Sequence, residues 1–367
     1  MTSAPPSLNA FLKAAAEAAR IGKTLRIFLG NEASDLDSMA SSILLAYSRG
    51  VNCGGLANVP VMNIPREDFS LRTEAVWLFK EVGIDSKDLV FLDDLDLGNL
   101  FATGESKLVL LDHNKLANTQ SAWADAVEEV VDHHTNEQLY PAAKKVIEPT
   151  GSATTLVAES LLANIPVRLE AGVYTLALGT ILLDTVNLDP DAKRVTPRDD
   201  AVAMQLLTLA KQDRTALFNS LQYEKFNVAG LSTRDILRKD YKEYRMGTVA
   251  CGIASALLPM IDWLKQDSAL DAAFTQFCTE RKLDVLVVMN AYTATDFKRE
   301  MAVHALDVAL RKRLAGCLNQ AGLGLTTLLP SKAHTDFYAQ SDLNQSRKKV
   351  QPLLSDCFKK LTGNFEI

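Results

Sequence analysis

Short apolar runs alternate with helical patterns through the first half of the chain, and this alternation limits the possible folds more than any other feature. The runs are continuous and rich in Val, Leu and Ile, as in strands that are buried on both faces. Alternating β and α elements predict a parallel sheet covered by helices. The expected strands are 25–29, 56–64, 89–92, 107–111, 128–131 and 144–147, and the expected helices are 8–20, 38–49, 70–82, 152–164 and 169–184.

The length of 367 residues predicts two domains. The stretch at 220–232 has no strong periodicity, and we place the linker there, at 223–232, between a first domain at 1–222 and a second at 233–367. The second domain is expected to be a smaller α/β lobe. Its expected strands are 248–255 and 284–291, and its expected helices are 258–266, 302–316 and 346–360.

Charge and cysteine content exclude several classes of protein. A net charge of −6 argues against bulk nucleic-acid binding, so we expect no stable nucleic-acid partner. The five Cys are scattered without a CxxC pair, which predicts reduced thiols in a cytosol-like compartment rather than disulfides or a zinc site. With no signal-peptide pattern and no apolar run near ~20 residues, we expect a cytoplasmic protein without a membrane association, and a monomer or weak oligomer.

Acidic side chains follow four of the expected strands, at the edge of a parallel sheet where ligands bind. A single Asp after a strand is usually a turn former, but four such positions form a pattern. Two-metal hydrolases bind their ions through oxygen and imidazole ligands. We therefore predict a two-metal site from the residues that follow these strands: Glu32, Asp35, Asp37; Asp93, Asp94, Asp96; Asp112, His113, Asn114; Asp132, His133, His134.

The ordered set of blocks resembles the DHH phosphoesterase superfamily, named for the run found here as Asp132-His133-His134. The matching blocks are GNEASDLDSMAS (30–41), LVLLDHN (108–114), VVDHH (130–134) and GTILLDTVNL (179–188). The C-terminal part is similar to the DHHA2 type through KDYKEY (239–244) and QSRKK (345–349). The resemblance implies an α/β fold with an N-terminal parallel-sheet DHH domain, a smaller DHHA2 domain, and an active site in the cleft between them.

Within the superfamily the chain is similar to the eukaryotic exopolyphosphatases and prune-type proteins, which are related to the family II inorganic pyrophosphatases. Asn31 stands where those pyrophosphatases carry a His metal ligand. The resemblance implies hydrolysis of the terminal phosphoanhydride of inorganic polyphosphate, with release of orthophosphate. The alternatives are an inorganic pyrophosphatase, a nucleotide phosphodiesterase and a non-catalytic prune-like regulator.

The resemblance also implies the metal ligands. Asp35 would bind one metal and Asp37 the other, and Asp112 would bridge both. His133 and Asp184 would complete the second site. The metals would be two divalent cations, with Mg²⁺ preferred and Mn²⁺ or Co²⁺ as alternatives.

The catalytic residues implied by the resemblance are His134, Asp112 and Asn31. His134 would lie near the phosphate and also bind substrate, and Asn31 would be a weak or indirect partner of the first metal. His113 is expected to support Asp112 rather than to bind metal.

Three basic residues of the second domain would bind the substrate: Lys242, Arg347 and Lys348. Arg and Lys neutralise the dense charge of a phosphate chain, and QSRKK has the pattern of a helix start, where backbone N–H groups favour phosphate. The alternative for Lys242 is a surface pairing with Asp240 or Glu243.

Asp184 and the acidic run at 93–96 each have two rival interpretations. Asp184 either caps a turn or binds metal, and its place after the apolar run TLALGTILL favours the metal, because an unpaired buried carboxylate is costly. Asp93, Asp94 and Asp96 form either an outer acidic shell or a plain turn.

Two Arg side chains that follow a predicted strand also have two interpretations. Arg66 and Arg72 either contact a longer phosphate chain or form surface salt bridges with Glu67 or Glu74.

Overall fold

The computed structural model describes residues 5–22, 24–52, 55–165 and 167–362. They form two compact units, which divide between Lys225 and Phe226. Each unit is built around its own six-stranded sheet.

The first unit alternates strands and helices as the apolar runs predicted. Its elements in chain order are α1 (Leu8–Ile21), β1 (Leu25–Leu29), α2 (Leu36–Asn52), β2 (Ala57–Met62), α3 (Thr73–Glu81), β3 (Val90–Phe91), α4 (Leu97–Ala102), β4 (Lys107–Leu111), β5 (Val127–Asp132), β6 (Lys144–Ile147), α5 (Ala153–Asn164), α6 (Ala171–Asp184), α7 (Pro197–Ala210) and α8 (Arg214–Phe226). Short 3₁₀ segments lie at Arg66–Leu71, Ser86–Asp88, Leu92–Asp94, Asn118–Ala126 and Pro190–Ala192.

The predicted parallel sheet is confirmed. Its strands follow the order β3-β2-β1-β4-β5-β6, and every neighbouring pair is parallel. The chain moves outward in one direction from β1 to β3 and then returns to the other side of β1 with β4. The carboxyl edge between β1 and β4 is therefore the topological switch point, where α/β sheets bind ligands.

The central strand β1 is buried on both faces, which explains its continuous apolar sequence. Phe28 packs into the apolar cluster on one face, while Ile27 and Leu29 belong to the cluster on the other face. Each of these side chains has 0% exposure. Because both faces of β1 are covered, a ligand from solvent can reach this strand mainly at its ends.

Helix α6 lies in the core of this unit and ends at Asp184. Its side chains from Val173 to Leu183 are buried on every face of the helix. None of the helices in the described ranges combines the length and apolar character needed to cross a bilayer.

The second unit carries a mixed sheet. Its elements are α9 (Thr233–Lys239), β7 (Tyr241–Met246), β8 (Val249–Ala256), α10 (Met260–Gln266), α11 (Leu270–Arg281), β9 (Val285–Thr293), β10 (Phe297–His304), α12 (Val308–Leu318), β11 (Leu325–Leu329), β12 (Thr335–Gln340) and α13 (Arg347–Thr362). The order is β11-β12-β10-β9-β8-β7, and only β8 and β9 pair in parallel.

Two expectations about secondary structure were wrong. The helix predicted at 302–316 begins only at Val308, because residues up to His304 belong to β10. The apolar end of β10 runs on into α12 in the sequence, so the boundary between them is hidden. The aperiodic stretch at 220–232 begins as helix, since α8 continues to Phe226.

The expectation that the cysteines are all reduced thiols was also wrong. Cys317 in α12 and Cys357 in α13 form a disulfide, with their Cα atoms 5.7 Å apart. They are 40 residues apart in the chain, so their spacing gave no sign of the pairing. Cys251 and Cys278 are free and buried, and Cys53 lies outside the described residues.

A buried carboxylate at the start of α7 braces the loop that leads into α5. The Oδ2 atom of Asp199 accepts hydrogen bonds from the backbone N–H of Gly151 and of Thr196, both at 2.8 Å. Its Oδ1 atom accepts one from the Thr155 hydroxyl at 2.5 Å. Asp199 has 0% exposure, and without it the buried Thr155 hydroxyl and the half-buried N–H groups of Gly151 and Thr196 would lose their acceptor.

Asp199→Ala is expected to lower the free energy of unfolding of the first unit by about 3 kcal/mol, since it leaves buried donors unsatisfied. For a unit of this size that corresponds to a fall of roughly 6–12 °C in Tm. The matched control is Asp199→Asn, whose amide can still accept from the backbone and donate to Thr155. Differential scanning calorimetry of the full chain measures both variants, and equal Tm values for Asp199→Ala and wild type would contradict the bracing role.

Candidate metal centre

The loop between β1 and α2 forms the first wall of the site. The side-chain oxygen of Asn31 accepts hydrogen bonds from the backbone N–H of Ala33 at 2.9 Å and of Ser34 at 3.2 Å, which folds the loop into a tight turn. The turn leads into α2 at Asp35, whose Oδ1 atom accepts from the Ser38 N–H at 3.1 Å. A Cβ atom at Gly30 would lie 2.5 Å from the Cβ of Ser38, so the loop can lie this close to α2 only with glycine there.

Asp112 connects this loop to the end of β4. Its Oδ2 atom accepts hydrogen bonds from Asn31 Nδ2 and Ser38 Oγ, both at 2.8 Å. Its Oδ1 atom lies 3.2 Å from His133 Nε2. Asp112 is 3% exposed and has a left-handed backbone with φ of 61°, a conformation that non-glycine residues rarely adopt outside constrained sites.

Asp37 lies against the amino end of α5. It accepts hydrogen bonds from the backbone N–H groups of Ala153 at 2.7 Å and Thr154 at 2.8 Å, and from the hydroxyl of Ser152 at 2.8 Å. A helix amino terminus favours a negative charge. These donors therefore hold the Asp37 carboxylate in place even though it is buried, with only 4% of its surface exposed.

His133 projects from the end of β5 with one nitrogen directed into the site. Its Nδ1 atom lies 2.8 Å from the carbonyl oxygen of Thr150, which can only accept, so Nδ1 carries the proton. Its Nε2 atom then lies 3.2 Å from Asp112 and 3.9 Å from Asp37. An Nδ1–H bonded to a carbonyl, with Nε2 turned towards carboxylates, is the usual arrangement of a metal-binding histidine.

Asp132 holds the side chain of His134 in place. Its Oδ1 atom lies 2.8 Å from His134 Nδ1 and also accepts the backbone N–H of His133 at 2.8 Å. Its Oδ2 atom accepts from the side chain of Asn114. Asp112, Asp132, His133 and His134 each have a potential ligand atom, and these four atoms lie within 4.8 Å of one another. The hydrogen bonds to Asp132 give it a positioning role for His134.

Asp184, at the end of α6, contributes a carboxylate oxygen without a partner. Its Oδ2 atom is buried and has no hydrogen-bond partner in the described part of the chain. A buried carboxylate oxygen without a donor is costly, and a cation would satisfy it. The rival interpretation, in which Asp184 only caps a turn, does not account for this oxygen.

The five metal ligands that the resemblance implies, together with Asn31 and His134, line one cavity of about 370 Å³. The cavity lies at the carboxyl edge of the sheet, at the switch point between β1 and β4. Its walls are formed by Asn31, Asp35, Asp37, Asp112, His133, His134, Thr150, Gly151, Asp184 and Arg194.

The carboxylates in this cavity repel one another. Burial and the charge of Asp37 raise the pKa of Asp112 to about 7. Burial, with the charges of Asp37 and Asp35, raises the pKa of Asp184 well above its usual range. Desolvation and the charge of Asp37 also raise the pKa of Asp35.

The same negative field also raises the pKa of His133, but for a histidine this favours the charged form. Burial favours its neutral form, but the hydrogen bond to Asp112 and the charge of Asp37 outweigh burial and raise its pKa to about 10. The surroundings therefore favour a positive charge at this point. Oxygen and imidazole ligands around a buried, negative cavity fit a divalent cation, and the residues present fit a metal centre of the predicted kind.

Several predicted neighbours take structural roles outside this cavity. Arg66 pairs with Asp94 at 2.6 Å, not with Glu67 or Glu74, and Asp96 caps α4 by accepting from the Asn99 N–H at 3.0 Å. The turn interpretation of the acidic run after β3 is therefore the one that the structure supports.

Arg72 neither forms the expected salt bridge nor lines the metal cavity. It donates to the backbone carbonyls of Ala33 at 2.6 Å and Ser34 at 3.2 Å, within the loop that carries the acidic motif. His113 bonds to the carbonyl oxygen of Leu111 at 2.9 Å rather than to Asp112, so it does not support Asp112 in the way we expected.

The donors that hold the metal-ligand candidates were not predicted from the sequence. Ser152 and Thr154 belong to the stretch GSATT, whose small hydroxyl residues at a helix start are a recognisable capping pattern. Asn114 was expected among the metal-site residues, but its side chain donates to Asp132 instead. Arg194 had no signal in the sequence that distinguished it from other surface arginines.

The basic residues predicted to bind substrate lie in the second unit. Lys242 is on β7, and Arg347 and Lys348 begin α13. Arg347 pairs with Asp240 at 2.6 Å, which brings the start of α13 next to the start of β7. The two carboxylates that could have paired with Lys242 have other partners: Asp240 pairs with Arg347, and Glu243 lies 3.5 Å from Arg281.

Two family models match the chain. Residues 27–181 match the model described as DHH family, N-terminal domain, and residues 219–357 match the DHHA2 domain. The first match contains the whole loop after β1 together with β4 and β5, and the second contains Lys242 and Arg347.

Curated proteins are similar over most of the chain. Exopolyphosphatase PRUNE1 of Rattus norvegicus is 37% identical over 344 residues, which cover 91% of this chain and 75% of that protein. A putative exopolyphosphatase of Schizosaccharomyces pombe is 31% identical over 361 residues, which cover 91% of each. Among solved structures, a putative family II inorganic pyrophosphatase of Methanococcus jannaschii aligns with a TM-score of 0.48 at 17% identity, covering 92% of this chain and 100% of that one.

Asp112→Asn is expected to weaken the binding of Mn²⁺ by at least about 100-fold, because it removes a charged oxygen that faces both His133 and Asp37. Isothermal titration of the metal-free chain with MnCl₂ measures the affinity. Because burial and neighbouring charges oppose ionisation of Asp112, the Tm of the metal-free variant should not fall. Asp93→Asn is the matched control, and equal Mn²⁺ affinities for the two variants would contradict the metal centre.

Proposed function

The chain belongs to the DHH family, with a DHHA2 domain in its C-terminal part, and we propose on this premise that it is a metal-dependent exopolyphosphatase. It would hydrolyse the terminal phosphoanhydride of inorganic polyphosphate and release orthophosphate. The observation that carries the proposal is the cavity in which Asp35, Asp37, Asp112, His133 and Asp184 meet at the switch point of the sheet.

The charges of this cavity support two divalent cations. Four Asp carboxylates line it, and two dications would carry four positive charges, so the filled cavity would be close to neutral apart from its His and Arg side chains. Asp112 has one oxygen held by Asn31 and Ser38 and the other turned towards His133, which fits the bridging position. When bound, such cations polarise phosphate oxygens and offset the charge that develops during phosphoryl transfer.

His134 would act on the substrate directly. Its side chain is 58% exposed at the cavity, and Asp132 fixes the ring through Nδ1. The hydrogen bond to Asp132 raises the pKa of His134, which favours an Nε2–H that can donate to a phosphate oxygen. Asn114 in turn holds Asp132, so the chain Asn114–Asp132–His134 sets the direction of this donor.

Lys242, Arg347 and Lys348 of the second unit would bind phosphate groups of the substrate. Lys242 and Lys348 have no ion-pair partner within the described ranges, so their charge is available to an anion. Arg347 is partly occupied by Asp240, and a phosphate oxygen would have to compete with that pair.

Asn31 favours polyphosphate over pyrophosphate as the substrate in this proposal. Its amide donates to Asp112 and its oxygen holds the loop, so both ends of the side chain are engaged within the protein. An amide is a weaker ligand than imidazole for later transition metals, which suits Mg²⁺, with Mn²⁺ or Co²⁺ as substitutes. A cytoplasmic monomer or weak oligomer remains the expected state.

Orthophosphate release with Mg²⁺ tests the proposal on four substrates: tripolyphosphate, a long polyphosphate, pyrophosphate and cyclic AMP. Release from the polyphosphates is expected to exceed release from pyrophosphate and cyclic AMP. Asp112→Asn should reduce the rate by at least about 100-fold, because the charge stabilisation in the site is lost. Release mainly from pyrophosphate would contradict the exopolyphosphatase assignment, and no release from any substrate would favour a non-catalytic regulator.

Asn31→His is expected to raise the rate on pyrophosphate relative to tripolyphosphate, since it introduces an imidazole beside Asp112. The ratio of the two rates is measured in Mg²⁺ and again in Mn²⁺, and the increase should be larger in Mn²⁺. Asn31→Ala is the control, because it removes the amide without adding a ligand. An unchanged ratio in Asn31→His would show that this position does not set substrate preference.

A further inference from the structure

We propose that Arg194 binds a phosphate group of the substrate at the mouth of the metal cavity, so that the first unit supplies a phosphate-binding side chain of its own. This inference rests on the proposed function and adds a specificity-determining residue to it. Within the described residues, Arg194 is the one Lys or Arg that lines this cavity.

The backbone at Arg194 is fixed against the site. A Cβ atom placed on Gly151 would lie 2.2 Å from the carbonyl oxygen of Arg194, so the two backbones are packed together. Gly151 lies between Thr150, which holds the His133 ring, and Ser152, which holds Asp37. Arg194 is therefore packed against the segment that positions two of the metal-ligand candidates.

An unusual turn brings Arg194 to this place. After α6 ends at Asp184, three successive residues without glycine are left-handed: Val186 with φ of 53°, Asn187 with 61° and Leu188 with 61°. A left-handed conformation is strained for a β-branched residue such as Val186. Asp184 before the turn and Arg194 after it both line the same cavity.

The segment around Arg194 is also capped on both sides. Asp189 accepts from the Asp191 N–H at 2.9 Å and caps the short 3₁₀ turn before it. Thr196 caps α7 directly after it and forms a reciprocal capping pair with Asp199. The long, exposed side chain of Arg194 thus extends from a base that does not need to reorganise when an anion binds.

The guanidinium of Arg194 has no carboxylate or carbonyl partner within the described ranges. Two other arginines of this unit are compensated by carboxylates: Arg198 pairs with Glu159 at 2.5 Å and Arg66 pairs with Asp94 at 2.6 Å. Once cations neutralise the carboxylates below it, Arg194 presents a fixed positive charge to the mouth of the cavity. A phosphate oxygen pair matches the geometry of its N–H groups.

Arg194→Gln is expected to weaken the binding of tripolyphosphate by about tenfold to a hundredfold, as for the loss of a charge-assisted hydrogen bond. Binding is measured by isothermal titration of the full chain in Ca²⁺, and the KM and kcat for tripolyphosphate are measured in Mg²⁺. Arg194→Lys should recover part of the affinity, because it restores the charge without the planar fork. Lys193→Gln removes the same charge from the neighbouring residue and should change affinity less than about twofold.

Two further measurements distinguish substrate binding by Arg194 from a merely structural role of this residue. The Tm and the Mn²⁺ affinity of Arg194→Gln should equal those of wild type, since no metal-ligand candidate loses a partner. Equal tripolyphosphate affinity for wild type and Arg194→Gln, or an equal loss in Lys193→Gln, would overturn the assignment, as would a wild-type chain that binds no tripolyphosphate. If wild type binds tripolyphosphate through Arg194 but does not hydrolyse it, the proposed function fails while the binding role of Arg194 stands.

Discussion

Repulsion among the carboxylates at the switch point of the first sheet is the constraint on which the rest of the site depends. Asp35, Asp37, Asp112 and Asp184 line one cavity of about 370 Å³, and burial together with mutual repulsion raises the pKa of three of them. Such a cluster is unfavourable in a protein that only needs to fold. It becomes favourable when cations occupy the cavity, because the attraction of each carboxylate to a dication exceeds its repulsion from the others.

Neutral and backbone donors hold these carboxylates apart without cancelling their charge. Asp37 is held by the amino end of α5 and Asp112 by Asn31 and Ser38, and no Lys or Arg of the described ranges forms a salt bridge with either. The negative charge therefore remains available to a metal, while the positions of the oxygens are fixed in advance. Asp199 extends this support outward, since it fixes the loop that carries the donors to Asp37.

The first sheet and most of its acidic motif were predictable because burial on both faces gives the strands a continuous apolar sequence. Strand β1 was predicted to the residue at 25–29. Strand β10 was not predicted, because its charged half resembles a loop and its apolar half runs on towards α12. Arg194 could not be predicted either, because the left-handed turn at 186–188 that places it contains no glycine to signal it. The disulfide between Cys317 and Cys357 depends on how α12 and α13 pack, which spacing in the chain does not show.

Anomalous diffraction from crystals grown with Mn²⁺ tests the central claim most directly, because it locates the ions without relying on activity. We expect two anomalous peaks in the cavity at the carboxyl ends of β1 and β4, about 3.5–4 Å apart, with Asp112 bound to both and His133 Nε2 bound to one. Asp132 is expected to bind neither ion. Peaks outside this cavity, or ordered side chains of Asp112 and His133 without any peak, would contradict it.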